Sequence, residues 1–297
     1  MHEESERRAV IAAGITVVFW ASAFVGIRAA APYFSPGALA LGRLLAGAVT
    51  LVIFLLLRRE GLPPRAAWPG IVVSGVLWFG LYMVFLNWGE REVDAGTAAM
   101  VVNVGPIVMA LLAGWLLGEG FPPRLLAGIA VACCGAVVVG LATSSGGRAS
   151  VLGVLLCLAA AIAYAGGVVA QKPALRHATA LQATTFGCVI GAVACLPFAG
   201  RLITELAHAP AHITLTMVYL GVFPTAVAFT TWAYALARTT AGRMGSTTYL
   251  VPAVVIVISG LLLHELPRPL AIAGGVLCVA GVAVSRGKRR ARTETPT

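Results

Sequence analysis

The chain has 297 residues, of which 59% are hydrophobic and only 11% charged, and it carries a formal net charge of +10. Soluble domains hold about 25% charged residues and under half apolar ones, so a water-soluble globule is excluded and lipid is the solvent. The positive charge would suit a nucleic-acid binder, but its distribution assigns it to membrane topology instead.

A spanning helix needs about 20 mostly apolar residues, and ten runs qualify: 9–29, 37–57, 68–88, 95–117, 124–143, 150–171, 181–200, 213–236, 244–264 and 269–285. The expectation is an all-α integral membrane protein. The first run is too long for a cleaved signal peptide, and no small-residue cleavage site follows it. It holds Trp20 near its middle. The second carries Arg43 about six residues in, deep enough to meet a carboxylate and shallow enough to snorkel outward as an anchor. In the third, Trp78 and Tyr82 are spaced i, i+4 and so share one face near mid-membrane, lining a cavity or packing. Trp68, Trp88 and Tyr33 fit the bilayer interface. A loop at 89–95 then gathers Glu90, Glu92 and Asp94. The fourth run has Asn103, Pro106 and a terminal Glu119; the sixth has Tyr164 at mid-span and Gln171 at its end. The ninth repeats the fourth with Tyr249, Pro252 and Glu265. The tail 286–297 is basic.

Ten spans put both termini on one side of the bilayer. With the N-terminus inside, the inner segments carry 15 lysines and arginines (Arg7, Arg8, Arg58, Arg59, Arg65, Arg124, Lys172, Arg176, Arg238, Arg243, Arg286, Lys288, Arg289, Arg290 and Arg292), and the outer loops carry four (Arg91, Arg148, Arg201 and Arg268). This positive-inside bias makes both termini cytoplasmic, with the tail against anionic headgroups. All six cysteines fall within the runs and lack metal-ligand spacing; they read as small apolar helix residues.

The chain repeats itself. The stretch from Pro106 to Glu119 returns as Pro252 to Glu265, 146 residues later, and at that offset Gly75 falls on Gly221 and Gly114 on Gly260. With a two-residue slip, Trp20 falls on Tyr164 and Arg28 on Lys172. This implies a duplication, with a first unit at 9–143 and a second at 150–285. Five spans per unit is odd, so the second copy enters the membrane inverted, the layout of secondary transporters with a site between repeats. Pro106 and Pro252 would each remove a backbone hydrogen bond within a span, as a plain kink or at a cavity that meets the freed carbonyl. Glu119 and Glu265 read as terminus markers and hinge anchors ahead of substrate ligands.

The run FWASAFVGIRAA (Phe19–Ala30), the proline-to-glutamate helix in each half and the two-by-five layout resemble the drug/metabolite transporter superfamily, in particular its ten-helix branch with two EamA domains. The likeness covers nearly the whole chain, and within the branch it is strongest to the bacterial exporters of aromatic amino acids. It implies a basket of helices around a central cavity, export of small metabolites with amino acids foremost, and a bacterial inner membrane. Alternating access would be facilitative or by exchange; proton-coupled multidrug or metabolite efflux is the alternative.

Polar groups inside spans mark a ligand path. Here they are Arg43, Asn103, Gln171 and Tyr249, with Trp20, Trp78, Tyr82 and Tyr164 as aromatic lining suited to an amphipathic small molecule. A zwitterionic amino acid could place its carboxylate on Arg43, Asn103 or freed backbone N–H groups, and its ammonium on carbonyls near the prolines or on aromatic faces. All eleven acids read as lying in tails, loops or span ends. No carboxylate is expected at mid-membrane, and the first-helix glutamate of short multidrug relatives is missing. No cofactor or metal is called for, and a monomer suffices. A membrane-embedded lipid-modifying enzyme is a distant alternative, lacking an acid/base pair or nucleophile near the headgroups; a channel would want a ring of like groups.

Overall fold

A chain in lipid must satisfy its backbone internally, which leaves helices or closed barrels. The computed structural model describes residues 2–116, 151–238, 250–262 and 269–285, with isolated positions between and beside these blocks. Its α-helices are α1 (His2–Ala30), α2 (Pro36–Leu57), α3 (Trp68–Ser74), α4 (Tyr82–Glu92), α5 (Ala95–Val102), α6 (Gly105–Leu116), α7 (Val151–Ala174), α8 (Ala180–Ala194), α9 (Ala199–His208), α10 (Ala211–Leu220), α11 (Ala228–Ala237), α12 (Leu250–Leu262) and α13 (Pro269–Ser285). No strand occurs among the described residues.

Among the described residues six stretches are long and apolar enough to cross a bilayer: Arg7–Ala30, Pro36–Leu57, Arg65–Glu92, Ala95–Leu116, Val151–Ala174 and Ala211–Ala237. Their outer faces are as apolar as their inner ones. Helix α2 buries Leu44, Gly47, Leu51 and Leu55 while exposing Leu45, Val49, Ile53 and Leu56. Without a hydrophobic difference between the faces, small residues and close packing choose the inner one.

Three details depart from the sequence expectation. The seventh run is bent by 51° between Ala180–Ala194 and Leu196–His208. Pro197 stands at the break, and α9 beyond it turns Leu202 inward and Arg201, Thr204 and His208 outward. The loop at 89–95 is also not a loop. Helix α4 runs on to Glu92, only Val93 and Asp94 intervene, and Asp94 caps α5 by accepting from the Thr97 N–H at 2.8 Å. Glu90 is therefore a helical residue and fully buried, where the reading of the acids placed it in an exposed loop. Finally, Pro106 does not interrupt a helix. The fourth span breaks at Asn103 and Val104, and Pro106 opens α6, where its missing N–H is one that a first turn does not need. Pro252 likewise lies in the first turn of α12. The run 124–143, apart from isolated positions, lies outside the described residues, as do Glu119, Tyr249, Glu265 and the tail.

Local features recur at the repeat offset. Two π-helical turns, Gly75–Leu81 and Gly221–Val227, lie 146 residues apart. In the second the cause is visible: Pro224 has no N–H, so the turn widens, and the Thr225 hydroxyl donates to the Leu220 carbonyl at 2.9 Å. Each π turn begins on a glycine pressed against another helix. A Cβ on Gly221 would fall on the Arg43 carbonyl oxygen, and one on Gly75 would lie 2.9 Å from the Gly187 carbonyl oxygen. Arg28 donates to the Glu90 carbonyl (2.9 Å), and its counterpart Lys172 to the Leu236 carbonyl (2.6 Å). Glu205 accepts from the N–H of Ser35, the residue that precedes α2 (2.8 Å), and Glu60 from the hydroxyl of Thr179, the residue that precedes α8.

The packing partners exchange in the same way. Helix α1 lies against α11 and α12, and α7 against α4 and α6. Helix α2 lies against the second π turn, α8 against the first, and α2 and α8 cross each other.

Candidate functional site

Aromatic side chains from four of these elements meet at the centre of the bundle. Trp20 on α1 is the hub, with ring centroids 4.8 Å from Trp232, 5.5 Å from Phe229, 6.0 Å from Trp78 and 6.3 Å from Tyr164. Trp20 and Tyr164 occupy equivalent repeat positions, and they meet edge to face. Such pairs add about 0.5–1.5 kcal/mol beyond the area they bury, so the cluster is rigid as well as apolar.

One side of the cluster is open. Trp20, Tyr82 and Tyr164 face a cavity whose wall also carries Arg43, Asn103, Thr248, Phe24, Phe229 and Pro106. Its free space is about 40 Å³, room for roughly three waters at ~10–15 Å³ each. Among the described residues the wall holds one charge, the Arg43 guanidinium, and no carboxylate. Pro106 has no N–H for the carbonyl of Val102, four residues earlier, and Val102 is itself on the wall.

Arg43 is 2% exposed. Its Nε and Nη2 donate to the Thr225 hydroxyl at 3.4 and 3.3 Å, and its Nη1 meets no acceptor. Glu90 and Tyr82 lie within its electrostatic reach. Trp20 Nε1 likewise finds no acceptor among the described residues. The Asn103 amide donates to the Ala99 carbonyl (3.1 Å), and its oxygen accepts from Thr248 at 3.5 Å.

The structure thus brings together Trp20, Arg43, Tyr82, Asn103, Tyr164 and Pro106. It leaves out two other candidates. Trp78 is 1% exposed and packs behind the wall, 4.5 Å from Phe229, whereas Tyr82 is on the wall; both rings meet Tyr164, at 5.7 and 6.0 Å. The π turn holds Trp78 and ends just before Tyr82. Gln171 is buried, and its side-chain amide has no partner, but it is not on the cavity wall. Pro252 is buried in α12 next to Val251, which is on the wall. Tyr249 lies outside the described residues; its neighbour Thr248 is on the wall. Sequence reasoning missed Thr225, Thr248 and Phe229. Pro224, a proline within the eighth run next to Thr225, was the sequence signal that went unread there.

A roomier cleft of about 510 Å³ opens at one end of the bundle among Ser35, Trp88, Arg91, Glu92 and Arg201. It is separate from the aromatic cavity. Among the described residues no three His, Cys, Asp or Glu side chains converge as a metal centre requires.

The sequence profile of the EamA-like transporter family matches the chain twice, at residues 7–141 and 151–287. A probable terminal-alkyne amino-acid exporter of Streptantibioticus cattleyicolor is 38% identical over 97% of this chain and 98% of its own length. An uncharacterized transporter of Bacillus subtilis is 32% identical over 92% of this chain and 89% of its own length. A probable amino-acid metabolite efflux pump of Escherichia coli is 26% identical, over 94% and 95%. A crystal structure that is 21% identical superposes with a TM-score of 0.67 over 93% of this chain and 96% of that one, and so shares the fold. With two matches that together span nearly the whole chain and an internal architecture of membrane-crossing helices, this protein is a member of the EamA-like transporter family.

Proposed function

We propose that the protein exports amino acids across the bacterial inner membrane by alternating access at the aromatic cavity. The observation that carries this reading is the wall chemistry: among the described residues, one cation, one amide, five aromatic side chains and no acid. An amino acid suits it. The carboxylate meets N–H donors, and the ammonium meets aromatic faces and the Asn103 oxygen. The names of the full-length relatives point to the same substrate class. The cavity is too narrow for an amino acid as it stands, so loading requires the helices to part.

In this reading the chain has ten spans in two inverted five-helix units, 9–143 and 150–285. The paired π turns, the paired Arg28 and Lys172 caps and the exchanged helix partners support the duplication. The lysine and arginine bias supports cytoplasmic termini. Exposed Arg91 and Arg201 then face outward, and exposed Arg58 and Arg176 inward. In an otherwise cysteine-free protein, Arg91→Cys and Arg201→Cys are expected to react with an impermeant maleimide in spheroplasts, and Arg58→Cys and Arg176→Cys only after lysis. The opposite pattern would reverse the orientation.

Transport itself is tested by counterflow in proteoliposomes, with labelled phenylalanine, leucine and alanine outside and the unlabelled compound inside. Saturable, trans-stimulated entry of at least one is expected, and none for any amino acid would overturn the reading. Facilitative or exchange transport predicts equilibration without accumulation under an imposed pH gradient. Buried Glu90, within electrostatic reach of Arg43, favours one second reading, proton coupling. Accumulation driven by the gradient and lost in Glu90→Gln would establish it.

A further inference from the structure

The Arg43 guanidinium is buried in lipid-embedded protein with weak compensation. Two of its N–H groups share one hydroxyl at 3.3–3.4 Å, longer than the usual 2.7–3.2 Å, and the third side of the group has no partner among the described residues. A buried charge satisfied this poorly is costly, and the missing partner is an acceptor. Trp20 Nε1, also on the cavity wall, is a further donor with no acceptor among the described residues.

The hydroxyl that holds Arg43 is itself fixed. Thr225 gives its proton to the Leu220 carbonyl, five residues back in the π turn, so toward Arg43 it acts only as an acceptor. That ties the Nε and Nη2 edge to α10–α11 and leaves Nη1 for a ligand. The arrangement exists in one half only. The repeat counterpart of Arg43 is Gly187, and that of Thr225 is Phe79. An inverted-repeat cavity with a single anion-reading corner holds its ligand in one direction.

We propose that Thr225 is a positioning residue that sets Arg43 to read the substrate's carboxylate, so that the carrier selects free acids over their esters and decarboxylated amines. This rests on the amino-acid reading above and adds the group recognised, the direction in which it is held and the residue that enforces both. A planar guanidinium matches a carboxylate in shape and charge, and an ester or amine leaves Nη1 unmatched.

The test is binding to the purified protein, followed by quenching of tryptophan fluorescence, since Trp20 is on the wall. Four compounds share one skeleton: L-phenylalanine, its methyl ester, phenethylamine and 3-phenylpropionate; the corresponding four built on leucine form a second set. Wild-type protein is expected to bind the amino acid and the simple acid at least tenfold more tightly than the ester and the amine. Thr225→Val and Thr225→Ala are expected to erase that ratio, and Thr225→Ser to keep it. A purely structural role would weaken all four compounds alike.

Equal wild-type binding of amino acid and ester overturns the inference and leaves the amino-acid reading standing. An unchanged acid-to-ester ratio in both Thr225→Val and Thr225→Ala overturns the role of Thr225. Binding of 3-phenylpropionate without phenylalanine or leucine overturns the amino-acid reading and keeps the carboxylate. Binding of no carboxylate in either set overturns both.

Discussion

Replacing Arg43 with glutamine is expected to lower amino-acid transport by about a hundredfold or more while leaving the melting temperature unchanged or higher. The two effects have one cause. Truncating one partner of a buried, hydrogen-bonded charge pair costs about 2–5 kcal/mol, and 2.7 kcal/mol is already a hundredfold. In the substrate-free protein, however, the partner is missing. The guanidinium has been taken out of water for two long hydrogen bonds to Thr225 and a longer-range attraction to Glu90. Neutral replacement of such a group is often neutral or stabilising. Glutamine keeps a donor within reach of Thr225 and removes the charge that substrate would have matched. A second readout follows by linkage: substrate at a hundred times its Kd stabilises the wild type by about 2.7 kcal/mol and should not stabilise Arg43→Gln at the same concentration. The measurements are counterflow in proteoliposomes and a melting curve with and without substrate. A melting temperature that falls in step with transport would make Arg43 an anchor of the fold, the other role its depth in the second span allows.

Six of the spans were legible in the sequence because lipid imposes a length and forbids unpaired backbone, and the helix Pro269–Ser285 could be read to the residue. The two family matches, 7–141 and 151–287, agree with the repeat read from prolines and glycines that keep their spacing. The helix geometry inside a span was not legible. Trp78 and Tyr82 both meet Tyr164, yet only Tyr82 reaches the wall, and the π turn at Gly75–Leu81 that precedes Tyr82 was not foreseen. Nothing in the composition of GVLWFGL announces i→i−5 bonding; only in the second copy does Pro224 give a reason for it. Glu90 was misplaced for a different reason. Three acids in five residues suggest a loop, but Arg28 from α1 caps the end of α4 and Asp94 starts α5 at once, leaving no room for one. The half of the site that sequence reasoning did find, Trp20, Arg43, Tyr82, Asn103 and Tyr164, was found because polar and aromatic groups at mid-span need a reason to be there. The other half depends on pairing across the fold: Thr225 is an ordinary threonine until Arg43, 182 residues away, lies against it.

Gly221→Val and Gly75→Val are expected to cost about 3 kcal/mol or more each, seen as loss of monodisperse protein, while Gly14→Val costs little. In lipid, helix association has no hydrophobic driving force and depends on close approach at small residues. A Cβ on Gly221 would fall on the Arg43 carbonyl and lie 2.6 Å from the Ala46 Cβ; one on Gly75 would lie 2.8 Å from the Ile190 Cβ and 2.9 Å from the Gly187 carbonyl. Backbone atoms cannot step aside as a side-chain tip can, which puts these positions at or beyond the usual 1–3 kcal/mol of overpacking. A Cβ on Gly14 meets nothing within 4 Å, so that variant controls for losing glycine as such. The two crossings are repeat counterparts, yet they should differ in one respect. What Gly221 presses on is the backbone of Arg43, the residue whose side chain faces the cavity, whereas the counterpart pressed by Gly75 is Gly187, which has none. The milder Gly221→Ala is therefore expected to raise the KM for substrate at least tenfold in whatever protein folds, and Gly75→Ala to lower yield with the KM unchanged. Equal KM changes in the two alanine variants would mean that the crossings act only as packing.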